Sequence, residues 1–88
     1  MSLLKNSNLT FHLFVRSPEV VVFEGDVKAL TSENEVGVFD VLPLHENFIS
    51  VIQSFLKIHN VNGGVREIEI DKGILEVWQD TAEIYLGI

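Results

Sequence analysis

The 88-residue sequence predicts an all-β fold: a compact two-sheet β-sandwich or flattened barrel of about eight to ten short strands. Apolar residues recur with a period of two along almost the whole chain, which is the spacing of a half-buried strand. Turn-forming residues separate these runs at short intervals, as in sandwiches and barrels. No segment shows a convincing helical period. Two packed layers are favoured because a single flat sheet would leave one apolar face in water.

Three apolar runs occupy the first third of the chain: residues 10–15, 20–23 and 27–30. Ser17-Pro18 ends the first run, because proline cannot donate to a sheet ladder. Gly25-Asp26 predicts a turn or a bulge between the second and third. Residues 31–35 predict an exposed turn, in which Asn34 is the natural candidate for a left-handed backbone.

Residues 36–52 are the least regular stretch, because Gly37 and Pro43 prevent one long element. We expect a short strand, a shaped loop and then a strand that begins near Asn47. Residues 54–59 alternate well. The Asn62-Gly63 step that follows is the strongest short-range hairpin signal.

The last third of the chain predicts three strands: residues 65–71, 74–78 and 81–86. Ile68 and Ile70 should point inward, since acidic residues alternate with them. Lys72-Gly73 is predicted to break the run, and Gln79-Asp80 fits a two-residue connection into the last strand.

Length and charge limit the classes of protein that are compatible with the sequence. The chain has the size of one domain, residues 9–88, after a disordered or leader segment at residues 1–8. Thirteen acidic against six basic residues give a net charge of −7, which argues against nucleic acid or an anionic membrane as partner. No window approaches the roughly 20 apolar residues of a membrane span, so direct insertion is not expected.

No pattern in the sequence predicts an active site, and we expect a non-catalytic protein without cofactor or metal. The three histidines, His12, His45 and His59, lack the local spacing of metal ligands. A metal hydrolase built from all three in space is the enzyme alternative. The acidic residues that alternate with Ile68 and Ile70 fit a solvated strand face. No nucleophile elbow and no phosphate-binding loop is present.

The segment from residue 35 to residue 48 is unusual because apolar residues cluster around a proline. Pro43 is flanked by three apolar residues, Val41, Leu42 and Leu44. A surface loop without a packing or binding role would not be expected to carry so many apolar side chains. Such a segment either folds back on the core or forms a binding patch. The residues alone leave both readings open.

At this loop the sequence resembles the N-terminal β-sandwich of the epsilon subunit of F-type ATP synthases, from about residue 10 to residue 86. The segment F-H-L-F-V-R-S-P-E-V-V-V-F-E-G-D-V, residues 11–27, is similar to the family's opening hairpin. T-S-E-N-E-V-G-V, residues 31–38, is similar to its acidic turn. L-P-x-H at residues 42–45 and D-K-G-I-L-E-V at residues 71–77 match its loop and a later strand.

The sequence departs from the family pattern in two places. Residues 39–41 intervene between the Gly-Val step and the Leu-Pro-x-His loop, and Glu46-Asn47 replaces the usual Ala-Pro. The sequence also stops at Ile88, before the C-terminal helical hairpin of typical members. A chain that ends there is not expected to inhibit ATP hydrolysis through that hairpin.

The resemblance implies a non-catalytic rotor subunit of the central stalk, which binds the gamma subunit and the c-ring and couples proton flow to ATP synthesis. It implies a peripheral location on the cytoplasmic face of the membrane. A stand-alone β-sandwich adaptor is the alternative. Carried over by position, the expected c-ring side comprises Glu33, Asn34, Glu35, Leu42, Pro43, Leu44 and His45. Ser17 and Pro18 are the weaker candidates for contact with gamma.

Overall fold

The computed structural model describes residues 9–87, which form six β-strands and no helix. The strands are β1 (Phe11–Arg16), β2 (Val21–Asn34), β3 (Gly37–Val41), β4 (Phe48–Asn60), β5 (Val65–Trp78) and β6 (Thr81–Leu86). The segment at residues 1–8, predicted to be disordered or a leader, and Ile88 lie outside the described residues.

Five of the strands close into a barrel. Neighbouring strands follow the order β1, β6, β5, β4 and β2, and β2 pairs back with β1. β1 and β6 run parallel, whereas the other pairs are antiparallel. β3 lies outside the ring, beside the second half of β2. The predicted all-β sandwich or flattened barrel is confirmed.

The strands are fewer and longer than the eight to ten predicted, because two of them continue through positions that looked like breaks. β2 runs through Gly25-Asp26 and β5 runs through Lys72-Gly73. The β4–β5 register shifts at Ser54, whose φ is 77°, so that Asp71 is left without a partner as a bulge. The barrel has two halves, and β2, β4 and β5 each contribute one segment to both. Counted in this way, the six strands supply nine strand segments, which is within the predicted number.

One half of the barrel contains the start of β4, the end of β5, β6, β1 and the start of β2. We call this the β6 half. The other contains the start of β5, the end of β4, the end of β2 and β3, and we call it the β3 half. Within the described residues, β3 pairs on one side only, and residues 48–52 pair only with β5. Two open sheet edges therefore lie next to each other.

Thirteen apolar side chains form the core between the two halves. They are Phe11, Leu13, Val15, Val27, Leu30, Val41, Ile52, Leu56, Ile58, Leu75, Val77, Ala82 and Ile84. Full burial of each large member stabilises the fold by about 1.5–3 kcal/mol. Ser32 is the one fully buried polar side chain among the described residues, and its hydroxyl donates to the Phe55 carbonyl at 2.8 Å.

Two of the predicted connections are confirmed. The β4–β5 hairpin turns at residues 61–64, where Gly63 has a φ of 94°. Gln79 and Asp80 connect β5 to β6 in two residues. In β5, Ile68 and Ile70 pack against the core while the acidic side chains between and beside them are exposed, as predicted.

The prediction of an exposed turn at residues 31–35 is wrong in its extent. Residues 31–34 continue β2, and only Glu35 and Val36 connect it to β3. Asn34 does not adopt a positive φ; Gly37 does, with a φ of 145°. The turn instead uses the Asn34 side chain, whose Oδ1 accepts hydrogen bonds from the backbone N–H groups of Val36 and Gly37 at 2.9 and 3.2 Å.

Candidate partner-binding surface

The β2–β3 turn presents an apolar side chain at its tip. Asn34 closes the turn, and its amide also donates to the Ser50 hydroxyl in β4 at 3.1 Å. Glu35 is exposed, and Val36 is 91% exposed at the tip. A single exposed valine is ordinary, so Val36 points to a contact site only together with exposed apolar neighbours.

The loop from Leu42 to His45 is held as a tight turn above an aromatic pair. The His45 N–H donates to the Leu42 carbonyl at 3.2 Å, and the ring of His45 lies 5.0 Å from that of Phe48. Phe48 in turn meets Phe39 edge to face at 6.2 Å. Leu44 has a φ of 68° and is 73% exposed, so the loop turns this apolar side chain outward. Each of the two readings that the residues left open applies to part of the segment: Val41 is buried in the core, whereas the exposure of Leu42 and Leu44 favours a binding patch.

The predicted turn and loop are not one cluster. They lie at opposite ends of β3, whose five residues span roughly 16 Å at about 3.3 Å per residue. Between them, Val38 and Asp40 are exposed on the same face of β3, so the connection carries one apolar and one acidic side chain. The two predicted segments therefore form the ends of one edge, which we call the apolar edge because Val36, Val38, Leu42 and Leu44 are exposed along it.

A half-open groove beside this edge was missed by the sequence analysis. It measures about 520 Å³ and is lined by Asn34, Glu35, Val36, Ile49, Ser50, Val51, Gln53 and Lys72. Ile49 and Val51 point outward from β4 and are exposed. The sequence feature that could have predicted the groove is the run from Phe48 to Ile52. Both faces of this strand segment carry apolar residues, so one apolar face must remain outside the core.

Ser17 and Pro18 form the β1–β2 turn. The Ser17 backbone N–H donates to the Val20 carbonyl at 2.9 Å, and its hydroxyl oxygen accepts from the Val20 N–H at 3.3 Å. Pro18 is exposed and approaches Gly87 beyond β6. This turn belongs to the β6 half, whereas the Glu35 turn belongs to the β3 half.

The three histidines lie apart and in different environments. His59 Nε2 lies 3.0 Å from the Thr31 hydroxyl, and that hydroxyl donates to Asp40 Oδ1 at 2.6 Å. Since the hydroxyl proton is directed to Asp40, His59 must act as a donor to the same oxygen. This order is the reverse of what a nucleophile needs, because a general base accepts the hydroxyl proton.

His12 bridges two carboxylates of the neighbouring strand. Its Nδ1 lies 3.1 Å from Asp26 Oδ1 and its Nε2 lies 3.1 Å from Glu24 Oε2. The hydrogen bond with Asp26, followed by that with Glu24, raises the pKa of His12 above its usual value of 6.5. The two carboxylates contact opposite edges of the ring, so the arrangement suits a surface staple between β1 and β2.

The fold thus defines a small β-sandwich domain with an apolar edge. Over residues 10–86 the chain matches the family described as the ATP synthase delta/epsilon chain, β-sandwich domain. The chain belongs to this family.

Several curated relatives are ATP synthase epsilon chains. That of Clostridium botulinum is 30% identical over 77 residues, which cover 86% of this chain and 58% of the relative. That of an Exiguobacterium species is 33% identical over 76 residues, covering 85% of this chain and 56% of the relative. The chain thus spans a little over half the length of these relatives.

Solved structures share the fold at lower identity. A chain of the mitochondrial ATP synthase of Euglena gracilis superposes with a TM-score of 0.82 at 19% identity, over 88% of this chain and 50% of that one. A chain of the Tetrahymena thermophila mitochondrial ATP synthase, in a structure of the central stalk and c-ring, gives 0.76 at 15% identity, over 88% and 63%.

Proposed function

We propose that the chain is a non-catalytic central-stalk subunit of a rotary F-type ATP synthase, which binds the gamma subunit and the c-ring and so couples proton flow to ATP synthesis. The observation that carries this proposal is the family match over residues 10–86, which includes every strand of the barrel. In this role the subunit works at the cytoplasmic face of the membrane as a peripheral component. No helix among residues 9–87 is long and apolar enough to cross a bilayer.

The c-ring side of the subunit is the apolar edge formed by the β2–β3 turn, β3 and the loop that follows. Exposure of Val36, Val38, Leu42 and Leu44 along this edge supports the assignment, because exposed apolar rows of this kind mark protein contacts. Glu33, Asn34 and Glu35 hold and flank the turn, while Pro43 and His45 shape the loop. Asn34 and His45 thus act by positioning the apolar side chains.

The gamma side lies on the β6 half, where the Ser17–Pro18 turn projects. Its support is the separation of this turn from the apolar edge, which leaves two different halves of the barrel for two partners. Only the Pro18 side chain is offered to a partner, because the Ser17 hydroxyl is used within the turn.

Co-purification tests the proposal. An affinity-tagged chain is expressed with the gamma and c subunits of the same organism, and membranes are dissolved in mild detergent before capture. Gamma and the c-ring are expected in the eluate. The proposal fails if neither is retained under conditions where gamma and the c-ring associate with each other. Capture of neither would leave the stand-alone adaptor as the better account.

A further inference from the structure

A second, smaller pocket opens on the outer face of the β6 half, and we call it the Trp78 pocket. It measures about 280 Å³ and is lined by Ile49, Glu76, Val77 and Trp78. Ile49 is 71% exposed and Trp78 is 38% exposed, whereas Val77 is buried. The pocket therefore combines exposed apolar side chains with a single ionisable group, the carboxylate of Glu76.

Glu76 makes neither an ion pair nor a side-chain hydrogen bond within residues 9–87. It lies directly opposite Glu83 on β6, and like charges at such a position destabilise a sheet. Glu83 itself accepts a hydrogen bond from the Tyr85 hydroxyl. A basic side chain above Glu76 would therefore form an ion pair and relieve the repulsion between the two strands.

The Trp78 pocket lies near the point where the chain enters the barrel. β1 begins at Phe11, and the backbone N–H of His12 donates to the Asp80 carbonyl in the β5–β6 connection at 2.8 Å. On the outer face His12 pairs with Thr81, and Thr81 pairs with Trp78. Trp78 is therefore two strand spacings from the start of β1, a distance of about 10 Å.

The amino-terminal segment, residues 1–8, is long enough to reach this pocket. Lys5 precedes Phe11 by six residues, and an extended chain of that length spans up to about 20 Å. Glu76 lies two residues from Trp78 along β5, which adds only about 7 Å to the two strand spacings. A short tether also holds the segment near the pocket at an effective concentration of about 1 mM, which a separate partner would have to match.

The sequence of the amino-terminal segment, M-S-L-L-K-N-S-N, matches the pocket in chemistry. Lys5 is its one charged side chain, and the sign is opposite to that of Glu76. Leu3 and Lys5 lie on the same side of an extended segment, about 7 Å apart, because successive side chains alternate. Ile49 and Glu76 are paired neighbours on β4 and β5, about 5 Å apart. An extended segment can therefore place Leu3 on Ile49 and Lys5 on Glu76 together.

The opposite side of β1 suits a basic segment less well. There the segment would meet β2, where His12 already bridges the carboxylates of Asp26 and Glu24. Lys28 is exposed at this end of β2 and would repel Lys5. Charge therefore directs the segment towards β6 and β5, where the Trp78 pocket lies.

We infer that the amino-terminal segment of this chain occupies the Trp78 pocket. In this arrangement Leu3 packs against Ile49, and Lys5 pairs with Glu76. The segment is then a strap that covers an apolar part of the outer sheet face. The inference goes beyond the proposed function, because it requires neither gamma nor the c-ring.

Limited digestion of the whole chain with trypsin tests the inference, because trypsin reaches the bond after Lys5 only when the segment leaves the pocket. Release of residues 1–5 is followed by mass spectrometry at low salt. Glu76→Gln should accelerate the release about two- to fivefold, which is the range for loss of a partly exposed ion pair. Glu67→Gln is the matched control, because Glu67 is an exposed carboxylate on the β3 half, and its rate should equal that of the unmodified chain.

Quenching by acrylamide of the fluorescence of Trp78, the single tryptophan of the chain, reports the same contact from the pocket side. Leu3→Ser and Lys5→Gln should each increase the quenching. Leu4→Ser is the matched control, because Leu4 lies on the opposite side of the extended segment, and it should leave the quenching unchanged. Exchange of the two charges, Lys5→Glu with Glu76→Lys, should restore the shielding that either substitution alone removes.

Two results would overturn the inference. One is an equal rate of release of residues 1–5 from Glu76→Gln and Glu67→Gln. The other is shielding of Trp78 that grows with the concentration of the chain and survives Lys5→Gln, because the occupant would then be a second copy. Neither result bears on the co-purification with gamma and the c-ring, so failure of this inference and failure of the proposed function are distinguishable.

Discussion

The amide of Asn34 donates to the hydroxyl of Ser50 at 3.1 Å, and this bond connects the end of β2 to β4 just beyond Glu33–Gln53, the last backbone pair between these strands. The same side chain accepts two backbone N–H groups of the turn. Asn34 therefore holds the β2–β3 turn, with Val36 at its tip, in position beside the groove. Asn34 is therefore a positioning residue for the exposed Val36.

Asn34→Ala should destabilise the fold by about 1–2 kcal/mol, because two backbone N–H groups lose their acceptor and Ser50 loses its donor. Chemical denaturation followed by the fluorescence of Trp78 measures the change. Ser50→Ala removes only the connection to β4 and should cost less. Equal losses in the two variants would show that the turn does not depend on the Asn34 carbonyl oxygen.

Gly73→Ala should destabilise the barrel by about 1–3 kcal/mol through overpacking. A Cβ atom at Gly73 would lie 2.9 Å from Leu86 Cδ2 and 3.0 Å from the Tyr85 carbonyl oxygen. Gly25→Ala is the matched control, because its Cβ would meet only Phe23 at an ordinary 3.7 Å. Thermal unfolding compares the two; a Gly73→Ala variant as stable as Gly25→Ala would contradict the close packing of β5 on β6.

His12 should make stability depend on pH in one direction. Because contacts with Asp26 and Glu24 raise the folded-state pKa of His12, its stabilisation is fully present below about pH 6.5 and is lost as pH rises through the raised value. The gain is below about 1 kcal/mol, since all three groups are largely exposed.

The difference in unfolding free energy between the unmodified chain and His12→Gln measures this effect. It should be larger at pH 5.5 than at pH 9 and should shrink in 0.5 M salt. Asp26→Asn should remove most of it, because Asp26 is the largest cause of the raised pKa. A difference that grows towards pH 9 would contradict the arrangement.

Leu44→Asp should weaken c-ring binding while leaving the fold intact, because Leu44 is largely exposed and has no core contact to lose. A charge on an apolar contact side chain costs binding affinity through its desolvation. Val65→Asp, an exposed apolar position on β5, is the matched control. Pull-down of the c-ring from detergent extracts compares them, and equal retention of both variants would remove the loop from the c-ring side.

Local patterns predicted the fold well where one face of a strand is clearly apolar. Phe11, Leu13 and Val15 recur at every second position of β1, so their shared buried face follows from period two. The extent of the long strands did not follow, because the bulge that leaves Asp71 unpaired opposite Ser54 depends on register with a partner strand. Lys72-Gly73 therefore looked like a break, whereas Gly73 lies inside β5 and packs closely against Leu86.

The candidate site was predictable only in part. Leu42 and Leu44 stand out in the sequence because they flank Pro43. Ile49 and Val51 do not, since Phe48 and Ile52 on the opposite face are equally apolar and only the folded chain decides which face is buried.

Isothermal titration of the purified chain with the purified gamma subunit of the same organism tests the central-stalk assignment most directly. The account predicts a saturable complex with one chain per gamma, which retains the c-ring when the ring is added. No heat of binding and no complex on gel filtration, with a gamma preparation that still binds the c-ring, would contradict it.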